Sequence, residues 1–271
     1  MVDVYVCGSG VRLPDHLTIE VLRALDACST IFSIWPDGYQ VLLPEGLRAR
    51  FRSLMPLYRP GELRDDTYAL QVDAIVSAAR ADPPVAYLTP GNPMVFDSVA
   101  QGLLAAGDRL GLSIEILAGV SSIDTILVDL RRDAAPGLQI YEASTLLIYQ
   151  LQPRTDIACL LMQPNAFGTV FVASDRQPTA LALRPLRDYL LRFYPAEHLV
   201  WYVSSSMAGS REPQLDCFVL GDLGGTESAP QEPGRSLYLP PARPLAIDAQ
   251  YADGLADPRR LTEPYRRPSP P

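Results

Sequence analysis

Arg64 and Tyr68 stand four residues apart in GELRDDTYALQVDAIVSAAR. In a helix that spacing puts them on one face, one turn from each other. A guanidinium beside a phenol favours the phenolate and lowers its pKa from about 10. Such a pair can draw a proton from a weakly acidic group. An arginine can equally just cover a core tyrosine, and spacing alone leaves both open. A second set of positions is glycine-rich. Gly8-Ser9-Gly10, Pro90-Gly91-Asn92-Pro93 and Ala118-Gly119-Val120-Ser121-Ser122 each follow a short apolar run and lead toward a helical pattern. Strand, tight turn and helix at the carboxyl end of a parallel sheet is where α/β proteins hold small ligands. Ser121 and Ser122 can contact a ligand or cap the helix behind them.

The elements that must carry these residues can be read in order. Val2 to Cys7 is a compact apolar strand. Leu17 to Cys28 is a helix, with Thr18 to cap it and Leu17, Val21, Leu22 and Leu25 on one stripe. Thr30 to Ile34 is a second strand, so the chain opens with a βαβ unit of a parallel sheet. Pro44 to Arg52 reads as a short polar helix and Leu54 to Tyr58 as a strand. Gly61 to Arg80 is a long helix with Tyr68, Val72, Ile75, Val76 and Ala79 inward. Val85 to Leu88 is a buried strand, and an amphipathic helix runs from about Met94 to Gly111. Ser113 to Leu117 is a strand and Ile123 to Arg132 a helix. After Pro136 the strands fall at Leu138–Tyr141, Ala158–Met162, His198–Ser204 and Cys217–Leu220. Helices cover Glu142–Gln150 and Thr179–Tyr194. Here the connections are both helical and non-helical, which predicts a mixed sheet. The expected organisation is a parallel-sheet α/β domain over 1–122 and a mixed-sheet α/β domain over 123–222. A tail over 223–271, rich in Gly, Pro and charge, carries Arg259, Arg260, Arg266 and Arg267 and is expected to be partly extended or mobile.

Composition removes several classes. The 271 residues are 48% hydrophobic, which excludes general disorder. No apolar run approaches the ~18 residues of a membrane span. MVDVYVCGSG reads as a strand and not as a secretory signal, so a cytoplasmic protein is expected. A net charge of −8 argues against a nucleic-acid partner. Every basic residue is arginine, and without lysine neither Schiff-base chemistry nor a phosphate-loop lysine is available. Cys7, Cys28, Cys159 and Cys217 are scattered and expected to be buried thiols; with only two histidines, no metal site is expected. GSGVRL falls short of the dinucleotide fingerprint, which disfavours a nicotinamide enzyme.

Taken together and in order, GSGVRLPDHLT, TPGNPMVF and ILAGVSS resemble the motifs of the tetrapyrrole methylase superfamily. Those enzymes use S-adenosylmethionine and usually read GxGPGDPDLLT, GDPxVY and PGxSS. The resemblance covers roughly residues 2–222. Val11-Arg12-Leu13 replaces the usual Pro-Gly-Asp, and Asn92 replaces the usual Asp. These departures resemble the borosin-type peptide backbone α-N-methyltransferases. So do Tyr58 followed by Arg64-Asp65-Asp66-Thr67-Tyr68, and Tyr141-Glu142-Ala143-Ser144.

The resemblance implies two α/β domains of tetrapyrrole-methylase type with a cofactor cleft between them and an extended tail. It implies S-adenosyl-L-methionine at Gly8, Gly10, Pro90, Gly91, Asn92, Val95, Phe96, Ser121, Ser122 and Gln163. It also implies that Tyr68 helps remove an amide proton, with Arg64 lowering its pKa, and that Tyr58 hydrogen-bonds the amide oxygen. Pro90 falls where the fungal enzymes have a further tyrosine, so any contact by that phenol must be absent or come from elsewhere. An amide nitrogen is a poor nucleophile because its lone pair is delocalised into the carbonyl. Proton removal, stabilisation of the developing oxyanion and positioning are the available levers. Related enzymes form homodimers. Ser236-Leu237-Tyr238-Leu239-Pro240-Pro241 and the residues after it carry no apolar Val/Ile/Gly-rich core peptide, which points to a separate precursor peptide as substrate. Two alternatives stay open: a small-molecule methylase of the same superfamily, such as a corrinoid pathway enzyme, and a non-catalytic module that binds a peptide or nucleotide.

Overall fold

The apolar runs at the start of the chain do not alternate, as expected of strands covered on both faces. The computed structural model describes residues 2–36, 38–172, 180–205, 212–225 and 234–262. In it, Val4–Gly8 (β1), Thr30–Ser33 (β2), Phe51–Ser53 (β3), Val85–Thr89 (β4) and Ile114–Leu117 (β5) form one sheet. All its pairs are parallel, in the order β3-β2-β4-β1-β5. Every residue of β4, at its centre, is buried. One face packs on Val21, Ala24 and Leu25 of α1 (Ile19–Ala27) and on Leu47 of α2 (Glu45–Arg48). Thr18 caps α1, its hydroxyl accepting from the Val21 N–H at 3.1 Å. The other face packs on Val72, Ile75 and Ala79 of α3 (Arg64–Ala81) and on Val99, Leu103 and Ala106 of α4 (Ser98–Leu110).

The register places Gly8 beside Thr89 and Cys7 beside Leu117. The carboxyl ends of β1, β4 and β5 therefore lie side by side, and the three glycine loops meet there. From the last of them runs α5 (Ser122–Leu130), which leads to the second sheet.

That sheet contains Leu138–Glu142 (β6), Ala158–Met162 (β7), Leu199–Ser204 (β8), Gln214–Val219 (β9) and Ser236–Leu239 (β10), in the order β6-β7-β10-β8-β9. Only β6 and β7 are parallel, so the sheet is mixed. Short helices α6 (Ala143–Ile148) and α7 (Arg184–Leu190) cover one side through Leu146, Leu186 and Leu190. The chain then reaches α8 (Ala249–Leu255), which buries none of its residues.

Several expected boundaries move, each for a local reason. Leu54–Tyr58 is no strand: the Ser53 hydroxyl accepts from the Met55 N–H at 3.2 Å and a 3₁₀ turn covers Met55–Leu57. The preceding helix stops at Arg48, because Phe51 is drawn beside Ile31 in the sheet. The helix expected from Met94 begins at Ser98, after Asn92 has turned the chain by accepting from the Met94 N–H at 2.9 Å. Pro185 fixes the first turn of α7, so a 3₁₀ turn at Ala180–Leu183 replaces the start of the expected helix; Thr179 lies outside the described residues. Cys217, expected to be buried, is exposed, whereas the other three thiols are buried. Among the described residues no helix is long and apolar enough to cross a membrane.

The largest departure concerns the tail. Ser236–Leu239 is a central strand, antiparallel to both β7 and β8, and all four of its residues are buried. Residues 263–271, with Arg266 and Arg267, lie outside the described residues. Leu237 is fully buried between two strands. Its truncation to Ala is expected to cost about 2–5 kcal/mol, the range for a large-to-small change in a core. Urea unfolding of the Leu237→Ala variant measures it, and a cost below ~0.5 kcal/mol would place the segment at the surface.

Candidate functional site

The loops after β1, β4 and β5 touch through backbone. Gly10 and Gly91 exchange hydrogen bonds, N–H to oxygen, at 3.1 and 3.0 Å. The Asn92 amide donates to the Gly119 carbonyl at 3.2 Å and ties in the third loop. A Cβ on Gly8 would stand 2.5 Å from the Gly119 nitrogen and 2.6 Å from the Gly91 oxygen. A Cβ on Gly119 would stand 2.3 Å from that same oxygen. Only glycine allows this approach. Ser121 caps α5: its hydroxyl accepts from the Ile123 N–H at 2.8 Å, and Asp124 returns a bond to the Ser121 N–H at 2.9 Å. Gly8, Gly10, Asn92 and Ser121 thus knit the floor together, and they do so with the groups expected to face a ligand.

Above this floor, between the two sheets, is a cleft of about 950 Å³. Of the expected ligand positions, Pro90, Gly91, Val95, Phe96, Ser122 and Gln163 line it. Phe96 and Gln163 both hold φ at 56°, in the left-handed region that non-glycine residues rarely adopt. Such backbone persists where its surroundings fix it, and it clusters at binding sites. Phe96 is also 41% exposed, a ring presented and not packed away. Ile34, Trp35 and Val11 add an apolar wall. Glu142 and Ser144, at the start of α6, lie across the cleft on the second sheet.

The same cleft receives Tyr58, Arg64 and Tyr68. Tyr58 follows the 3₁₀ turn and Tyr68 lies one turn into α3; their rings meet edge to face with centroids 6.4 Å apart. Arg64 does what was expected in sign, favouring the ionised form of Tyr68, but burial outweighs it and the Tyr68 phenol is raised above its ordinary value. Burial, followed by the neighbouring Tyr68, pushes Tyr58 up to about 12. The Arg64 guanidinium also donates to the Thr169 carbonyl oxygen. There the chain after β7 crosses to the head of α3, with Gly61 N–H to Val172 oxygen at 3.1 Å and Val172 N–H to Glu62 oxygen at 2.8 Å. One side chain thus serves the cleft and the junction of the two sheets.

Three contributors escaped the sequence reading. Tyr87, in the middle of β4, is fully buried, and its hydroxyl donates to the Asp97 carboxylate at 3.2 Å. Asp97 caps α4, its Oδ1 accepting from the Ala100 N–H at 2.9 Å, and it lines the cleft. Gln71 is fully buried on α3, with an amide that completes no normal hydrogen bond and approaches the Tyr58 phenol. Tyr87 reads as core from its apolar neighbours. Asp97 was hidden inside a helix drawn too long, though an Asp before an apolar helical run is a cap signal.

The model of the family "Tetrapyrrole (Corrin/Porphyrin) Methylases" matches residues 3–211 of this chain. A methyltransferase/ribosomally synthesized type II borosin cyclic peptide precursor from Phlebiopsis gigantea is 26% identical over 239 residues, which are 87% of this chain and 42% of that protein. The chain spans about half the length of the curated relatives it matches. Among solved structures, uroporphyrin-III-C-methyltransferase from Thermus thermophilus superposes with a TM-score of 0.60 at 19% identity, covering 92% of this chain and 97% of that one. A second structure of the Thermus enzyme, complexed with S-adenyl homocysteine, gives 0.56 at 18% identity, covering 88% and 96%. At these identities the structures show the fold.

Two outcomes follow from the geometry. Gly119→Ala is expected to lower stability by about 1–3 kcal/mol, the usual cost of overpacking, seen as a fall in thermal midpoint. An unchanged midpoint would mean that the loops do not meet. The second concerns pH. Tyr58 ionises near 10 when unfolded and at about 12 when folded. The folded state therefore holds its proton longer, and stability is fully present below pH ~10 and lost as pH rises toward ~12. Tyr58→Phe is expected to flatten that alkaline decline in denaturant midpoints; an identical decline would place the phenol in solvent.

Proposed function

The chain belongs to the tetrapyrrole methylase family of S-adenosylmethionine-dependent methyltransferases, and on that premise we propose that it methylates backbone amide nitrogens of a peptide. The observation that carries this reading is the joining of two sites in one cleft: a glycine floor at the ends of β1, β4 and β5, and the trio Tyr58, Arg64 and Tyr68 beside it. The relatives described as borosin cyclic peptide precursors support it.

The residues fit the cofactor. The glycine contacts leave the loop backbone bare, so a ligand can approach closely. Phe96 offers a ring face, Ser122 and Gln163 offer polar groups, and Ile34 and Trp35 offer apolar surface. When bound, S-adenosylmethionine supplies an electrophilic methyl group on a sulfonium. What remains to the protein is to bring an amide nitrogen there and to make it a nucleophile.

A peptide laid across the cleft meets two phenols that burial keeps protonated. Tyr58 is placed to donate to the amide oxygen as negative charge gathers there. Tyr68 is the oxygen through which the amide proton leaves, with the Arg64 guanidinium offsetting part of the burial penalty. Residues of both sheets' sides line the cleft, and their separation positions the nitrogen.

The peptide is a separate chain in this reading. Ser236–Leu239 is built into the second sheet and cannot also lie extended in the cleft. The active form is a cytoplasmic homodimer. Ile247, 80% exposed, with Tyr251 and Leu255 on α8, offers apolar surface to a second copy.

Transfer of label from S-adenosylmethionine, with a peptide from a neighbouring reading frame and a tetrapyrrole offered side by side, tests the reading. Label is expected on the peptide; label confined to the tetrapyrrole would overturn it. Tyr68→Phe is expected to lower turnover by ~10²–10⁴-fold, with calorimetric affinity for S-adenosylhomocysteine nearly intact. Undiminished turnover would remove Tyr68 from this role.

A further inference from the structure

The helix that carries Arg64 begins without a side-chain cap. Leu63 stands at the N-cap of α3, and the first N–H groups of a helix have no partner within it. The chain after β7 supplies one: the Val170 carbonyl oxygen accepts from the Arg64 N–H at 2.9 Å, and Leu63 pairs with Phe171 as an antiparallel bridge. The carbonyl one residue earlier, at Thr169, accepts from the Arg64 guanidinium. Two successive carbonyls thus grip one residue, by its backbone and by its side chain. We propose that Thr169 is a positioning residue for Arg64: its carbonyl holds the guanidinium at the cleft with its charge intact, and its hydroxyl locks the turn that aims the carbonyl. The inference rests on the peptide-amide reading and adds to it a residue that the Arg/Tyr trio does not include.

The chemistry of the acceptor matters. An arginine paired with a carboxylate has its charge offset at short range, as at Arg50, Arg154 and Arg235. Arg64 makes no ion pair among the described residues, although Asp65 and Asp66 follow it in the chain. A peptide carbonyl carries no net charge, so the cation it fixes still acts on what surrounds it. A guanidinium has five N–H donors, and this bond uses one of them. The charge stays with the cleft, which Arg64 lines beside Tyr58 and Tyr68. There it favours the ionised form of both phenols. Burial and Asp97 oppose it at each, and Asp65 opposes it at Tyr68.

The hold is anchored at both ends. Phe167 is buried in the core of the second sheet, and the chain leaves that core through Gly168, whose φ is 78°. At the far end Val172 is bonded to Gly61 and Glu62, just before α3. Between the anchors, the Thr169 hydroxyl accepts from the Phe171 N–H at 3.1 Å and closes a turn around Val170. The side chains of Val170 and Phe171 are exposed, so the shape of the turn is left to backbone bonds and to that hydroxyl. Without it the Phe171 N–H loses its acceptor and the Thr169 carbonyl is free to swing away from Arg64.

Thr169→Val separates this role from others, because Val is nearly isosteric with Thr and lacks only the hydroxyl acceptor. Thr169→Ala, which adds no methyl, is expected to behave alike, and Thr169→Ser, which keeps the hydroxyl, to recover most of what is lost. Two readouts are taken. In the protein without cofactor, phenolate absorbance is expected to rise at higher pH in Thr169→Val than in wild type, as it does in Arg64→Leu, because the cation that favours the phenolates has moved away. In turnover on the peptide, kcat is expected to fall by ~10–10²-fold, the scale of an ångström's misplacement, with KM for the peptide little changed.

A double-mutant cycle decides whether Thr169 acts through Arg64. Arg64→Leu/Thr169→Val is expected to titrate and turn over as Arg64→Leu does alone. Effects that add in full, an unshifted titration in Thr169→Val, or a wild-type kcat in that variant would overturn the role of Thr169 and leave the peptide reading standing. A wild-type protein that methylates no backbone amide overturns the peptide reading, and with it the catalytic use of this contact.

Discussion

Everything in the cleft depends on how closely three backbones approach. Gly8, Gly91 and Gly119 come so near that a single methyl on Gly8 or Gly119 would fall 2.3–2.6 Å from the Gly91 oxygen. The contact is possible because β1 lies between β4 and β5 and all three run parallel. Their loops leave the sheet on one side at one height. Once joined, they form a surface of bare backbone that no side chain can fill. The left-handed turns at Phe96 and, across the cleft, at Gln163 complete its rim. Ligand space here is a consequence of sheet order and glycine placement.

The second constraint is burial of phenols. A tyrosine in solvent and one in this cleft are different reagents. Tyr58, Tyr68 and Tyr87 are all raised by desolvation, and the Asp97 charge adds to that in each case. Arg64 opposes it but does not reverse it, and it is also bonded to the Thr169 carbonyl at the junction of the two sheets. The site is thus better stocked with protonated donors than with phenolates, and the Asp97 side chain stands in the same cleft at the head of α4. That carboxylate accepts from the capping Ala100 N–H and from the Tyr87 hydroxyl.

Much of this was legible in the sequence. The three glycine loops, the parallel first sheet and the mixed second sheet followed from apolar runs and their punctuation. The Arg64/Tyr68 pair followed from a four-residue spacing. What stayed hidden was set by long-range contacts. Ser236–Leu239 is four residues long and follows a Gly- and Pro-rich stretch; its strand is created by β7 and β8 on either side. Tyr87 looks like any core residue until its hydroxyl finds Asp97. Asn92 entered as a cofactor position through the family resemblance alone. Its bond to the Gly119 carbonyl joins two loops 27 residues apart, and no local pattern carried that.

The central claim is that the nitrogen of a backbone amide is what this cleft makes reactive. It is tested most directly by fragmenting the modified peptide in a tandem mass spectrometer and locating each methyl group. The account predicts methyl groups on backbone nitrogens alone, at residues whose side chains carry no nucleophile. Methyl groups on side-chain oxygen, sulfur or nitrogen, or on carbon, would contradict it.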